Sequence, residues 1–100
     1  MNNEGMKQLG DVRDAIDDID HQIVRLIASR QAQVERAGGI KGSVAEVPAP
    51  ERVEAVIRKV RAIAVDAGAD PDLIEAVYRT MITSFIEREL EQVKRRDETG

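Results

Sequence analysis

The sequence lacks cysteine and tryptophan, and it has one histidine, His21, and two other aromatic residues, Tyr78 and Phe85. Without cysteine, disulfide bonds and thiolate metal sites are excluded, and a reducing compartment is favoured. A single histidine argues against a zinc site, so neither a metal nor a cofactor is expected. No apolar run of about 18 residues could span a membrane, and the polar residues 1–8 lack the apolar core of a signal peptide. We therefore expect a cytoplasmic chain.

Size and charge narrow the class of protein further. The formal net charge of −4 gives no general attraction to nucleic acid. One hundred residues suggest a single domain over 1–100, with loose ends at 1–8 and 95–100. A lone chain of this size buries only a modest core, so dimerisation would help to stabilise it.

The clearest pattern lies between residues 9 and 37. Six apolar residues, which we call the seam, follow one another in steps of 3, 4, 3, 4 and 3: Leu9, Val12, Ile16, Ile19, Ile23 and Leu26. This is the heptad spacing of a long helix. The next position on the seam is Arg30. Such a helix would be about 40 Å long, which is too long for a compact chain of this size. It should therefore cross a dimer or project from the molecule.

Two arginines on this predicted helix suggest how a dimer would be arranged. Arg30 lies on the seam and Arg13 lies beside it, 17 residues apart. Their separation of about 25 Å and their different directions prevent one helix from gripping a small ligand with both. Two antiparallel copies would bring the start of one helix beside the end of the other. The spacing therefore indicates a homodimer with shared sites.

Helix start and stop signals organise the rest of the chain. Gly38-Gly39 is predicted to end the first helix, and the glycine-flanked Lys41 to lie in a mobile segment, with a plain loop as the simpler interpretation. Pro50 suits the first position of a second helix, which Gly68 would end. Asp70-Pro71-Asp72 is typical of the start of a third helix. The prediction is an all-α chain of three helices, long, medium and long, with no competing strand pattern.

Five charged residues stand where they are least expected. Arg30 and Glu89 occupy apolar-stripe positions, Arg52 is at an unfavourable helix start, Arg13 borders the seam and Lys41 lies between glycines. Taken singly, they are explained as surface residues, or as a buried Arg30–Glu89 pair, although such pairs stabilise weakly. Together they describe a cationic pocket suited to a small dianion, because arginine binds carboxylates in bidentate fashion. Without a catalytic triad or a phosphate loop, its chemistry would be electrostatic.

Three stretches of the sequence carry a resemblance to a known family. They are Asp11 to Asp20, with the pattern R-x-x-I-D-x-I-D, then Leu26 to Arg30, and then Lys41 with Val47 to Val53, which contains P-E-R. Over about residues 9–93 the chain resembles the all-helical chorismate mutases and, within them, the isochorismate pyruvate-lyase branch. The resemblance implies an intertwined homodimeric helical bundle with two shared active sites. It also implies the [3,3] rearrangement of chorismate to prephenate, without a covalent intermediate.

The resemblance also implies a role for each of the unusual charges. Arg13 from the other chain would bind one substrate carboxylate, and Arg30 would bind the second. Lys41 would contact the ether oxygen and a carboxylate, and Arg52 matches a further active-site arginine. Glu89 matches a position usually held by a glutamine that donates to the ether oxygen. The separate argument from the spacing of Arg13 and Arg30 agrees with this arrangement.

Departures from the family pattern keep other activities open. Ala49 and Val53 stand where mutases often carry acids that face the ring hydroxyl, and Phe85 stands in the substrate site where a small polar residue is common. These differences favour the lyase branch, which splits isochorismate into salicylate and pyruvate. A 4-amino-4-deoxychorismate mutase and a helical dimerisation module without activity are further alternatives.

Glutamate at position 89 departs from both branches. A carboxyl group must carry its proton to donate a hydrogen bond, and an apolar site favours the protonated form of such a group. We therefore predict a mutase whose activity is favoured at acid pH, with Lys41, Glu89 and Arg30 as its catalytic residues.

Overall fold

The computed structural model describes residues 2–41 and 50–99, with side chains at 2–38 and 50–95. These residues form three α-helices and no strand: α1 is Asn3–Lys41, α2 is Pro50–Ala67 and α3 is Pro71–Thr99. The predicted all-α chain of long, medium and long helices is confirmed. None of the described helices combines the length and the apolar character that crossing a membrane requires.

The first helix begins earlier than its apolar pattern indicates. The side chain of Asn2 accepts a hydrogen bond from the backbone N–H of Gly5 at 2.7 Å, which is the geometry of a helix N-cap. Glu4 places an acidic group in the first turn, where the helix dipole favours it. The loose end predicted over 1–8 is therefore helical from Asn3 onward, ahead of the seam.

Both long helices also end later than predicted. α1 continues through Gly38 and Gly39 to Lys41 instead of ending at Ala37. Each helical glycine costs about 1 kcal/mol relative to alanine, and Gly38 is buried beside Glu89 of α3. α3 runs to Thr99, past the loose end predicted from residue 95. The rest of the predicted mobile segment, from residue 42, lies outside the described residues.

The turn between α2 and α3 follows the predicted chemistry. Gly68 has a φ of +76°, the left-handed conformation that a glycine adopts without strain. Its N–H donates to the carbonyl of Val65 at 3.2 Å, and the N–H of Ala69 donates to the carbonyl of Ala64 at 2.8 Å. This pair of bonds is a Schellman motif. The prediction that Gly68 ends the second helix is confirmed.

The helix starts marked by proline are also confirmed. Pro50 and Pro71 are the first residues of α2 and α3, where the missing N–H of proline costs nothing. The carboxylate of Asp70 accepts a hydrogen bond from the N–H of Asp72 at 2.9 Å and so caps α3.

The apolar faces of α2 and α3 form the core. Its buried apolar residues, among those described, are Ile57, Val60, Ala64, Ile82 and Val93. On each of the two helices these residues recur at the spacing of a single helix face. Ile63, also on α2, is 53% exposed.

Ion pairs show the register in which α2 and α3 run antiparallel. Arg79 contacts Glu54 at 2.7 Å, and Arg61 contacts Asp72 at 3.0 Å. Because both helices rise equally per residue, this register places the first residue of α2 level with about residue 83 of α3. The second half of α3 therefore extends past the start of α2.

The described residues divide after Gln33 into two compact units. The first unit is most of α1, and its seam side chains from Val12 to Leu26 are exposed. The second unit holds the last residues of α1 together with α2 and α3. The predicted homodimer stays a prediction.

Candidate active site

Glu89 on α3 carries a charged side chain in a buried position. It is 6% exposed, and within residues 2–38 and 50–95 no other charged side chain is buried. Phe85, one turn earlier, is half-buried, and Val93, one turn later, is 2% exposed. Residues four apart share a helix face. The predicted placement of Glu89 on the apolar stripe is therefore confirmed, and the stripe carries a carboxyl group among apolar neighbours.

The end of α1 covers Glu89 where α2 does not reach. Gly38 is buried, and a Cβ at this residue would lie 3.2 Å from Oε1 of Glu89, 3.5 Å from its Cγ and 3.6 Å from its Cδ. One turn earlier on α1, Glu35 accepts a hydrogen bond from Arg88 at 3.5 Å. Both side chains of that ion pair are about half exposed, so the pair contributes little to stability. These two neighbouring contacts bring the end of α1 alongside α3 at 88–89.

The buried polar atoms of this region are satisfied. In the described parts of the chain, no buried side-chain nitrogen or oxygen lacks a hydrogen-bond partner. A carboxyl group in such a place has two states, because the carboxylate only accepts hydrogen bonds whereas the acid also donates one. Within the same residues, no group of three or more histidine or acidic side chains is placed to hold a metal ion.

The predicted cations lie on three helix segments. Arg13 is exposed and Arg30 is half-buried, both on α1 within the first unit. The continuous helix keeps them 17 residues apart, as the sequence argument required. Arg52 is exposed in the first turn of α2. Lys41 is the last residue of α1, and its side chain lies outside the described residues.

The structure therefore brings together two of the predicted site residues, Phe85 and Glu89, on one face of α3. Sequence reasoning missed Gly38, which it interpreted only as the end of a helix. No local signal marks this residue as a neighbour of Glu89, because the contact depends on how α1 and α3 are aligned.

A second cluster of charges lies away from Glu89. Arg79 donates to Glu54 and Glu75, and these hydrogen bonds lower the pKa of both carboxyl groups and raise the pKa of the guanidinium. Arg61 donates hydrogen bonds to Asp72 and Glu75. Both bonds raise the pKa of Arg61, and the bond to Asp72 has the larger effect. The cluster stands about 15 Å or more along α3 from Glu89, so it belongs to α2–α3 packing.

Comparison with known proteins identifies the family. The family model described as chorismate mutase type II matches residues 12–90, a range that contains all six predicted site residues. The isochorismate pyruvate lyase of Pseudomonas aeruginosa is 37% identical over 86 residues, which cover 86% of this chain and 82% of that protein.

A second relative is the T-protein of Haemophilus influenzae, which is 37% identical over 75 residues. That match covers 74% of this chain and 20% of the T-protein, so this chain corresponds to about a fifth of it. The match of the family model over most of the sequence confirms the family resemblance, and the roles of Arg13, Arg30, Lys41 and Arg52 stay predictions. The chain belongs to the chorismate mutase type II family.

Proposed function

We propose that this protein catalyses the [3,3] rearrangement of chorismate to prephenate. The observation that carries the proposal is the buried carboxyl group of Glu89 in a chain whose residues 12–90 match the chorismate mutase type II family. The rearrangement needs no nucleophile. It needs cations that hold two carboxylates in the reactive geometry and donors for the ether oxygen, which gains negative charge as its C–O bond breaks.

The arginines supply the binding. Arg30 binds one substrate carboxylate and Arg13 of a second copy binds the other, each through the two parallel N–H groups that a guanidinium presents. Arg52, at the start of α2, adds positive charge to the same site.

Lys41 and Glu89 supply the donors. Lys41 donates to the ether oxygen as an ammonium, and Glu89 donates only while its carboxyl group carries a proton. Near Glu89, Arg88 on its own helix pairs with Glu35 on α1. Because only the protonated carboxyl group can donate, we expect a faster reaction in mildly acid solution.

Phe85 shapes the apolar side of the site. It is one turn before Glu89 on α3 and half-buried, so its ring lines the same face as the carboxyl group. A ring against the substrate excludes water and strengthens the hydrogen bonds to the ether oxygen.

A second copy of the chain completes the site. Five consecutive seam residues are exposed by roughly half or more of their surface: Val12 by 54%, Ile16 by 49%, Ile19 by 53%, Ile23 by 47% and Leu26 by 69%. A continuous apolar stripe of this kind is normally covered, and its heptad spacing fits the packing of helix on helix. We infer an antiparallel homodimer along the seam, with Arg13 of each copy beside Arg30 of the other.

Isochorismate pyruvate lyase activity is the second candidate function. It is favoured by the similarity to the lyase of Pseudomonas aeruginosa along most of both chains. Ala49 and Val53, which leave the ring hydroxyl without acidic partners, point the same way. The same arginines and Lys41 would hold isochorismate, and the products would be salicylate and pyruvate.

One pair of assays separates the two activities. The purified protein is given chorismate or isochorismate at mildly acid and at neutral pH, and prephenate and salicylate are measured. Prephenate as the dominant product, formed faster in acid, supports the proposal, whereas dominant salicylate assigns the chain to the lyase activity. Arg30→Gln should abolish either reaction, and Arg25→Gln, at an exposed arginine of the same helix, should not. No turnover of either substrate contradicts both candidates.

A further inference from the structure

Two glycines inside α1 have different surroundings. A Cβ at Gly10 would meet nothing within 4 Å, whereas a Cβ at Gly38 would meet the carboxyl group of Glu89. Glycine within a helix is unfavourable compared with alanine, whichever site it occupies. At Gly38 the missing side chain makes space for a specific neighbour, and at Gly10 it does not.

We propose that Gly38 is a positioning residue that sets where the carboxyl group of Glu89 presents its oxygens. The catalytic consequence rests on the proposed function, in which this carboxyl group donates to the ether oxygen. The position itself rests on the contact between α1 and α3 alone.

The distances show which atom would move. The 3.2 Å between a Cβ at residue 38 and Oε1 of Glu89 is shorter than ordinary contact, whereas 3.5 Å to Cγ and 3.6 Å to Cδ are ordinary. An added methyl group would therefore push the oxygen by a few tenths of an ångström and leave the rest of the side chain in place. Glu89 is 6% exposed, so little free space surrounds its side chain.

The competing explanation is that Gly38 serves only the close approach of two helices. Under that explanation Gly38→Ala would cost stability whatever residue stands at position 89. If Gly38 acts through Glu89, the effect of Gly38→Ala must disappear when the carboxyl group is removed. A double-mutant cycle between the two positions separates these cases.

The first measurement is the kcat and KM for chorismate of Gly38→Ala, in the wild-type and in the Glu89→Ala background. We expect Gly38→Ala to lower kcat about fivefold with little change in KM, because a small misplacement of a catalytic group is costly. In the Glu89→Ala background the same substitution should have no effect. Gly10→Ala, in the same helix with open space around it, is the matched control and should leave kcat unchanged. An equal loss of kcat in both backgrounds overturns the proposal.

The second measurement does not depend on activity. In protein labelled with ¹³C at the glutamate carboxyl carbons, the Glu89 signal is the one that Glu89→Gln removes. We expect Gly38→Ala to shift this signal and Gly10→Ala to leave it unchanged. A shift in a protein that converts neither substrate supports the position of Glu89 while the proposed function fails. An unchanged signal overturns the proposal.

Thermal unfolding of the same variants decides the case in which Gly38→Ala is unstable. A loss of melting temperature that Glu89→Ala relieves supports the contact with the carboxyl group. A loss that is the same in both backgrounds assigns Gly38 to helix packing and overturns the proposal.

Discussion

Arg79 on α3 donates from Nη2 to both carboxylate oxygens of Glu54 on α2, at 2.7 and 3.2 Å. Its Nε donates to Glu75 at 2.7 Å, and Arg61 donates to the other oxygen of Glu75 at 2.8 Å. Glu75 thus links two arginines across the α2–α3 contact. The hydrogen bond from Arg79 is the main reason that the pKa of each of these two carboxyl groups lies below its usual value.

This network makes a prediction about acid stability through Glu75→Gln. Because the pKa of Glu75 is lowered from 4.5 in the folded state, its ionised form contributes stability that is fully present above pH 4.5. This contribution is lost as the pH falls through the lowered pKa. Glu75→Gln should therefore lower the urea midpoint at neutral pH, and the difference from wild type should shrink in acid. Unfolding followed by circular dichroism at both pH values measures it.

Glu91→Gln is the matched control for that prediction. It removes an ion pair with Arg95 on the same helix, in which both side chains are well exposed. Such a pair contributes little to stability. Equal urea midpoints for Glu75→Gln and Glu91→Gln at neutral pH would contradict the role given to the network.

Local chemistry explains which helix boundaries the sequence could predict. Pro50, Gly68 and Asp70 act on the backbone within one turn, so their effect does not depend on the rest of the fold. The passage of α1 through Gly38 could not be predicted in this way. The neighbour of Gly38 in the fold, Glu89, is 51 residues away in the sequence.

In the candidate site, too, features within one helix could be predicted and contacts between helices could not. The helical spacing placed Glu89 on an apolar stripe, because position 89 falls four residues after Phe85. The same reasoning could not find the neighbour of Glu89 on α1, since that requires the alignment of two helices. The roles of Arg13 and Arg30 come from the family resemblance, and they stay predictions that subunit experiments can test.

Ile19→Glu tests the seam. A carboxylate at the centre of an apolar helix contact would be buried without a partner, which should weaken dimerisation at least about a hundredfold. Ala28→Glu places the same charge on the opposite face of the heptad and should leave the dimer intact. Sedimentation equilibrium gives the association state of both variants. A monomeric wild-type protein, or equal effects of the two substitutions, would contradict the proposed dimer.

A subunit-mixing experiment tests whether Arg13 and Arg30 of one site come from different chains. Either substitution to alanine should lower kcat/KM about a hundredfold, because it leaves a substrate carboxylate unpaired. A refolded equimolar mixture of Arg13→Ala and Arg30→Ala would contain heterodimers with one intact site each. Random pairing in a two-fold symmetric dimer should then restore about one quarter of wild-type activity.

The control for this mixture is a chain that carries both substitutions. Mixed with either single variant, it forms no intact site and should restore nothing. Mass-tagged subunits verify that heterodimers form in each mixture. Heterodimers that regain no activity would show that Arg13 and Arg30 do not reach one site from opposite chains.

Glu89→Gln tests the proton on the buried carboxyl group. An amide donates N–H at every pH, whereas a glutamate side chain donates only when protonated. The kcat of the wild-type protein should rise from neutral to mildly acid pH, and Glu89→Gln should give a flat profile near the acid level of the wild type. Glu89→Ala, which has no donor, should give a flat profile about a hundredfold below the acid level of the wild type. Glu87→Gln, at an exposed position on α3, should keep the wild-type profile. A flat wild-type profile, or a Glu89→Gln variant inactive at every pH, would show that this carboxyl group does not donate to the reacting oxygen.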